Sequence, residues 1–227
     1  MNILAIDTSA NLCAACVYDA DEDIVRGRSV LDIGKGHAEH LMGTIAAALD
    51  EAALSYPDLG RIAVSVGPGS FTGVRVGVSA ARGLALALKI PAIGVSTLEA
   101  LAAEAPIAFP GRTIAAVIDG RRGDLYLAGY DRDGKLCREP AAVSVETARE
   151  FAAAHDAVLI GNGADMLTAS VSENHFDIAS YAATGDIATY ARLVATREPP
   201  FDKPKPLYLR GADAKPQTGF ALQRAEG

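Results

Sequence analysis

The first apolar run of the chain, Ile3-Leu4-Ala5-Ile6, stops at Asp7 and is followed by the small residues Ser9, Ala10 and Asn11. A short apolar run closed by turn formers predicts a β-strand over 3–7, with 12–18 returning as its antiparallel neighbour. A third strand is predicted over 24–30. The period then changes. Leu41, Ile45, Leu49 and Ala52 recur at helical spacing between residues 36 and 54, so they share one face of a helix. Residues 62–66 form a continuous apolar strand running into Gly67-Pro68-Gly69, and a second helix is predicted over 72–88. The element order is βββαβα.

This order recurs. At an offset of 112 positions, Ile6, Asp7, Tyr18, Asp19, Asp21 and Arg26 meet Ile118, Asp119, Tyr130, Asp131, Asp133 and Arg138. Val66-Gly67-Pro68-Gly69 finds its counterpart in Ile160-Gly161-Asn162-Gly163 at a shorter spacing, so the second half has lost residues. Self-similarity at a fixed spacing marks an internal repeat. Two βββαβα halves facing each other across a cleft describe an α/β fold of the actin-like, ribonuclease-H-like (ASKHA) class. Ligands of such open α/β sheets sit at loops beyond the strand ends. The predicted halves are 1–105 and 112–198, joined where Pro106 and Pro110 interrupt helix. Residues 199–227, with Pro199, Pro200, Pro204, Pro206 and Pro216, are predicted to form an extended, partly mobile tail.

Composition narrows the function. The 227 residues are 50% apolar, enough to fill a core. With 28 acidic against 21 basic residues the net charge is -7, which disfavours a surface that tracks nucleic-acid phosphates. A nucleic-acid substrate would therefore be held by a partner. The three cysteines are an odd number, and neither a basic stretch nor a long apolar segment precedes Asp7, the first charged residue. These features predict a reduced, cytoplasmic protein. The longest weakly polar stretch, 74–90, carries Arg75, Arg82 and Lys89, so no membrane span is predicted.

The segment Gly67-Pro68-Gly69-Ser70-Phe71-Thr72-Gly73 invites comparison with a phosphate loop at a helix start. It lacks the Lys followed by Ser or Thr of a P-loop, and Thr72 stands where the dinucleotide pattern needs glycine. A tight turn that lets strand and helix pack closely is the simpler reading. In the helix that follows, Gly73, Gly77, Ala81 and Ala85 form one small-residue stripe, and each internal Gly costs about 1 kcal/mol relative to Ala. Close approach of another backbone compensates, either from within the chain or from a partner. Arg75, Ser79 and Arg82 form a second stripe suited to a partner or to solvent. His37 and His40 lie three apart without an evident third ligand, so no metal is assigned. Cys13 and Cys16 point to opposite faces of their strand and cannot chelate together. Asp7, followed by Thr8 and Ser9, ends a strand where actin-like kinases and ATPases keep an acid facing phosphate and magnesium. These three residues are the candidate nucleotide-facing turn.

The stretches MNILAIDTSANLCAACVYD, GKGHAEHLM and above all SVGPGSFTGVRVGVSAARGLALAL resemble the bacterial tRNA threonylcarbamoyladenosine biosynthesis family TsaB, also called YeaZ. KPLYLRGAD is similar to the family's C-terminal Tyr-Leu-Arg element. The similarity is close in the first half and loose in the second. It implies an actin-like fold and a non-catalytic subunit that binds and activates the catalytic paralogue TsaD. The complex so formed transfers a threonylcarbamoyl group to the tRNA adenosine beside the anticodon. The resemblance also implies a TsaE ATPase as third partner and contact with tRNA only through the complex. No cofactor is expected on the chain itself, with ATP and magnesium entering at the level of the complex, and self-pairing into a homodimer stays open. The TsaD helix carries His-x-x-x-His for metal, whereas this chain reads His37-x-x-His40, one residue short. The expected partner-facing residues are Leu41, Ile45 and Leu49 on the first helix, with Phe71, Thr72, Gly73, Arg75, Val76, Gly77, Ser79, Ala81 and Arg82 on the second. The rival expectation is an autonomous actin-like nucleotide-binding enzyme that uses Asp7 and the cleft between the halves. A peptidase reading finds no metal set and no Ser-His-Asp order to carry it.

Overall fold

Strands β1 (Asn2–Asp7), β2 (Leu12–Asp19) and β3 (Ile24–Asp32) form an antiparallel meander in which Ala5 faces Cys16 and Asp7 faces Ala14. β1 and β2 are buried on both faces, which is why their apolar runs do not alternate. The computed structural model describes residues 1–169 and 176–210. After the meander come helix α1 (His37–Glu51), β4 (Leu59–Ser65), helix α2 (Phe71–Leu88), β5 (Ala92–Val95) and helix α3 (Thr97–Glu104). β4 and β5 join in parallel, giving the order β3-β2-β1-β4-β5.

The second half repeats this plan. Its elements are β6 (Ile114–Asp119), β7 (Asp124–Tyr130), β8 (Leu136–Ser144), α4 (Val145–Ala154), β9 (Val158–Ile160), α5 (Ala164–Thr168), β10 (Ile178–Ser180) and α6 (Ile187–Ala195). Their sheet order is β10-β9-β6-β7-β8. At the offset of 112, β1 coincides with β6 and β3 with β8 at both ends. Asp7 and Asp119 thus end equivalent strands, and each carboxylate accepts a backbone N–H two residues on. Ser9 N reaches Asp7 Oδ1 at 2.8 Å and Arg121 N reaches Asp119 Oδ1 at 2.7 Å. The same aspartate turn recurs at Asp19 and Asp131, which accept from Asp21 N and Asp133 N. The predicted order βββαβα is incomplete, because each half adds a fifth strand and a further helix. β5 has four residues and β10 three, too few to display a period.

Packing ties the halves together. One face of the first sheet, with Leu4, Ile6, Val17, Ile62 and Val64, is covered by α1 and α2. The opposite face, with Ile3, Ala5, Cys16, Ala63 and Ile93, is covered chiefly by α6 through Ile187, Tyr190, Ala191 and Val194. Conversely, α3 lays Leu98, Leu101 and Ala102 on Ile114, Ala116 and Ile118 of the second sheet. The halves therefore exchange their last helices. Cys13 and Cys16 do fall on opposite faces, and burial pushes both thiols up, Cys16 to about 12.

The described part of the tail is docked, in contrast to the partial mobility expected of it. Pro204 is buried, and Leu207 N donates to Val66 O at 2.8 Å in the first half. Arg210 donates to the carbonyls of Gly120 at 2.9 Å and Arg121 at 3.2 Å and pairs with Asp124, all in the second half. These partners make residues 204–210 a strap across the two halves. Residues 211–227, including Pro216, lie outside the described residues.

Candidate functional site

The two strand ends of the first half, Asp7 on β1 and Ser65 on β4, meet α6 and α3 at the junction of the halves. Asp7, Thr8 and Ser9 are at most 2% exposed. Asp7 Oδ1 accepts from Ser9 N, and Oδ2 accepts from the Thr184 hydroxyl at 2.6 Å. Thr184 Oγ1 lies 2.7 Å from the Tyr190 hydroxyl. Since Thr184 gives its proton to Asp7, Tyr190 is the donor in that contact. Burial, with the Asp7 charge adding, pushes the Tyr190 phenol up and keeps its proton in place. A second hydroxyl chain runs from Ser65 to Thr97 at 3.1 Å and from Thr97 to Ser9 at 3.4 Å. Each side chain of these two chains, from Asp7 to Tyr190 and from Ser65 to Ser9, has a partner within the protein.

The glycine-rich turn closes over the same residues. Ser70 N donates to Ser9 O at 2.6 Å, and the Ser70 hydroxyl caps α2 by accepting from Gly73 N at 3.2 Å. The Thr8 hydroxyl donates to Gly73 O at 2.7 Å. A Cβ on Gly69 or Gly73 would overlap the carbonyl oxygens of Ser9 or Thr8. The tight-turn reading of Gly67–Gly73 therefore describes its packing: backbone meets backbone where a phosphate loop would leave a cradle.

The expected partner-facing residues divide into two sets. Leu41, Ile45 and Leu49 are at most 3% exposed and pack in the core beneath α1. Gly73, Gly77 and Ala81 are likewise buried against the sheet, a Cβ on Gly77 falling 2.6 Å from Thr8 Oγ1. These six are corrected to internal contacts, because the apolar stripe of each helix faces its own sheet. Phe71, Thr72, Arg75, Ser79 and Arg82 are exposed, and Val76 is half-buried. The outward side of α1 and α2 also carries residues outside the expected partner-facing set: Met42, Gly43, Ala46 and Ala47 on α1, with Leu86 and the helix-interior Gly83 on α2. Leu86 is 82% exposed. A Cβ at Gly43 or Gly83 would meet nothing within 4 Å, so neither glycine is required by the chain's own packing. Their signal in the sequence was glycine in a helix interior.

At the start of α2, Arg75 lies 3.6 Å over the Phe71 ring and donates from Nε to the Tyr208 hydroxyl at 2.7 Å. Phe71 and Tyr208 are 59% and 54% exposed, so this stack joins the strap to the outer face. Among the described residues α2 alone has the length and apolar composition of a membrane span. Its small-residue stripe instead seats it on the sheet, with Arg75 and Arg82 outward. His37 is buried and His40 exposed. Among the described residues no group of three His, Cys, Asp or Glu side chains is placed to hold a metal.

Comparisons with known proteins agree with this architecture. The family described as TsaD, tRNA N6-adenosine threonylcarbamoyltransferase, matches residues 32–155. The chain is 37% identical to the tRNA threonylcarbamoyladenosine biosynthesis protein TsaB of Escherichia coli K12 over 59% of its length. That match spans only 56% of the E. coli protein. An uncharacterized protein of Mycobacterium tuberculosis is 35% identical over 94% of both chains. Among solved structures, YeaZ from Pseudomonas aeruginosa superposes with a TM-score of 0.73 at 27% identity, covering 85% of this chain and 90% of its own. With its duplicated actin-like halves, its family match over more than half its length and these relatives, the chain belongs to the TsaB/YeaZ family.

Proposed function

We propose that this protein takes part in tRNA threonylcarbamoyladenosine biosynthesis as the non-catalytic subunit that binds and activates TsaD. The observation that carries this reading is the outer face of α1 and α2. Gly43 and Gly83 stand in helix interiors with open space in front of them, at a cost of about 1 kcal/mol each relative to alanine. Around them are Met42, Ala46, Ala47 and Leu86, apolar or small and directed outward. A helix pair of a partner can approach such a face closely and bury it. TsaD, a paralogue with the same helices, is the proposed occupant; a second copy of this chain is the competing one.

The rival reading as an autonomous nucleotide enzyme loses its main support at Asp7. Both oxygens of that carboxylate accept bonds from the chain itself. The reading therefore assigns no cofactor to the isolated protein, and places ATP, magnesium, TsaE and tRNA at the level of a cytoplasmic complex. The test is reconstitution: TsaD should co-purify with this chain, and tRNA modification should depend on it. Equal modification in its absence would overturn the proposal.

A further inference from the structure

Tyr18 and Tyr130 are duplicates at the offset of 112, yet their hydroxyls meet different surroundings. In the first half Tyr18 donates to Asp23 Oδ1 at 2.6 Å. In the second half Lys135 stands at the position of Asp23. Tyr130 is only 9% exposed, and its hydroxyl has no hydrogen-bond partner among the described residues. It borders a crevice of about 260 Å³ between α3, the β7–β8 turn and the start of β6. Ala102, Ala103, Pro106, Ile114 and Leu193 give the crevice apolar walls.

The turn beside it is acidic in the first half and carries no net charge in the second. Asp19-Ala20-Asp21-Glu22-Asp23 of the first half corresponds to Asp131-Arg132-Asp133-Gly134-Lys135. Two cations thus replace an alanine and the carboxylate that satisfied the tyrosine. Arg132 borders the crevice and forms no ion pair among the described residues. The other charged groups there are engaged. Both oxygens of Glu99 accept from Arg197 Nη2, at 2.6 and 2.7 Å, and Arg112 pairs with Asp156 and Asp177. Asp131 Oδ1 accepts from the backbone N–H groups of Asp133 and Lys135. Burial, with Glu99 and Glu139 adding, pushes the Tyr130 phenol up, so it remains a donor. A phenol donor and a guanidinium are left without protein partners at an apolar slot.

We propose that this crevice binds a small organic acid. Its carboxylate takes the place that the Asp23 carboxylate fills in the first half, accepting from Tyr130 and facing Arg132. Its apolar body lies along Ala102, Pro106 and Ile114. The site shares no residue with the outer face of α1 and α2, so it stands independently of the reading of that face.

The experiment is a titration of the full, isotope-labelled chain with butyrate, and separately with inorganic phosphate at constant ionic strength, followed by amide chemical shifts. Butyrate is expected to give saturable shifts centred on residues 111–114 and 130–135. Tyr130→Phe keeps the ring in the core, and Arg132→Gln changes an exposed turn. Each is expected to weaken butyrate binding about tenfold or more, as for hydrogen bonds to a charged group. Phosphate is expected to bind more weakly than butyrate. Absence of saturable shifts, unchanged affinity in both variants, or phosphate binding as tightly as butyrate would each overturn the proposal.

Discussion

Thr8 and Gly73 are locked together twice: the Thr8 hydroxyl donates to the Gly73 carbonyl at 2.7 Å, and the Thr8 carbonyl fills the space of a Gly73 Cβ. Gly73→Ala must therefore force α2 away from β1. The expected loss is about 2–3 kcal/mol, the upper part of the range for overpacking, and the melting temperature of the isolated chain should fall by roughly 4–12 °C. Gly77→Leu should also destabilise the isolated chain, since its new side chain would meet Thr8 Oγ1 and Val64. Thermal melts of both variants without a partner check this. Wild-type stability in both would contradict the packing.

Thr184 joins Asp7 to Tyr190, so Thr184→Val leaves a buried carboxylate oxygen and a buried phenol each short of one bond. The expected cost is about 2–3 kcal/mol at nearly constant side-chain shape, read by denaturant titration. Calorimetry of the wild-type chain with ATP and magnesium should show no binding that depends on Asp7. Tight binding abolished by Asp7→Asn, in a variant that still folds, would restore the enzyme reading.

The outer helical face is tested at positions that the fold does not use. Leu86→Asp and Met42→Asp are expected to leave the melting temperature of the isolated chain within about 1–2 °C of wild type, as exposed substitutions do. Each should weaken association with TsaD by about 10- to 100-fold, the equivalent of roughly 1.4–2.8 kcal/mol. Size measurements of each variant alone and with TsaD separate loss of the paralogue from loss of self-pairing. Unchanged TsaD binding in both would remove this face from the interface.

Asp19 gives the protein an acid-sensitive contact. The Arg26 guanidinium beside it, then the Asp21 backbone N–H and the N-terminal ammonium, hold its carboxyl down at about 2 against the ordinary 3.8. A carboxyl depressed on folding contributes stability that is complete above its unfolded pKa and fades as pH falls through the folded one. The melting-temperature difference between wild type and Asp19→Asn should therefore be constant from neutral pH to about 4, then shrink towards about 2. A difference that grows in that acid window would contradict the assignment.

Much of the fold was legible because duplication wrote the same meander twice. Apolar runs located β1 to β3, and the matches from Ile6 to Arg26 carried the same plan to β6 to β8. β5 and β10 escaped because three or four residues between a turn and a helix carry no period. Leu41, Ile45 and Leu49 are partner-facing only on the resemblance, and the apolar stripe could not decide the matter, since it shows that a face is covered, not by what. Gly73 and Gly77 were ambiguous for the same reason, and only the neighbouring Thr8 decides them. Thr184 and Tyr190 were invisible as neighbours of Asp7, since Thr184 lies 177 positions away and hydroxyls carry no pattern of their own.

The exchange of last helices bears on how the chain comes off the ribosome. Ile3, Ala5 and Cys16 are made first, yet the helix that covers them begins only at Ile187. While the second half is being synthesised, one face of the first sheet has no lasting cover, and such exposed apolar strands are prone to aggregate. A nascent first half would therefore depend on chaperone shielding, and folding would close late, in one cooperative step, when α6 reaches the sheet laid down at the start.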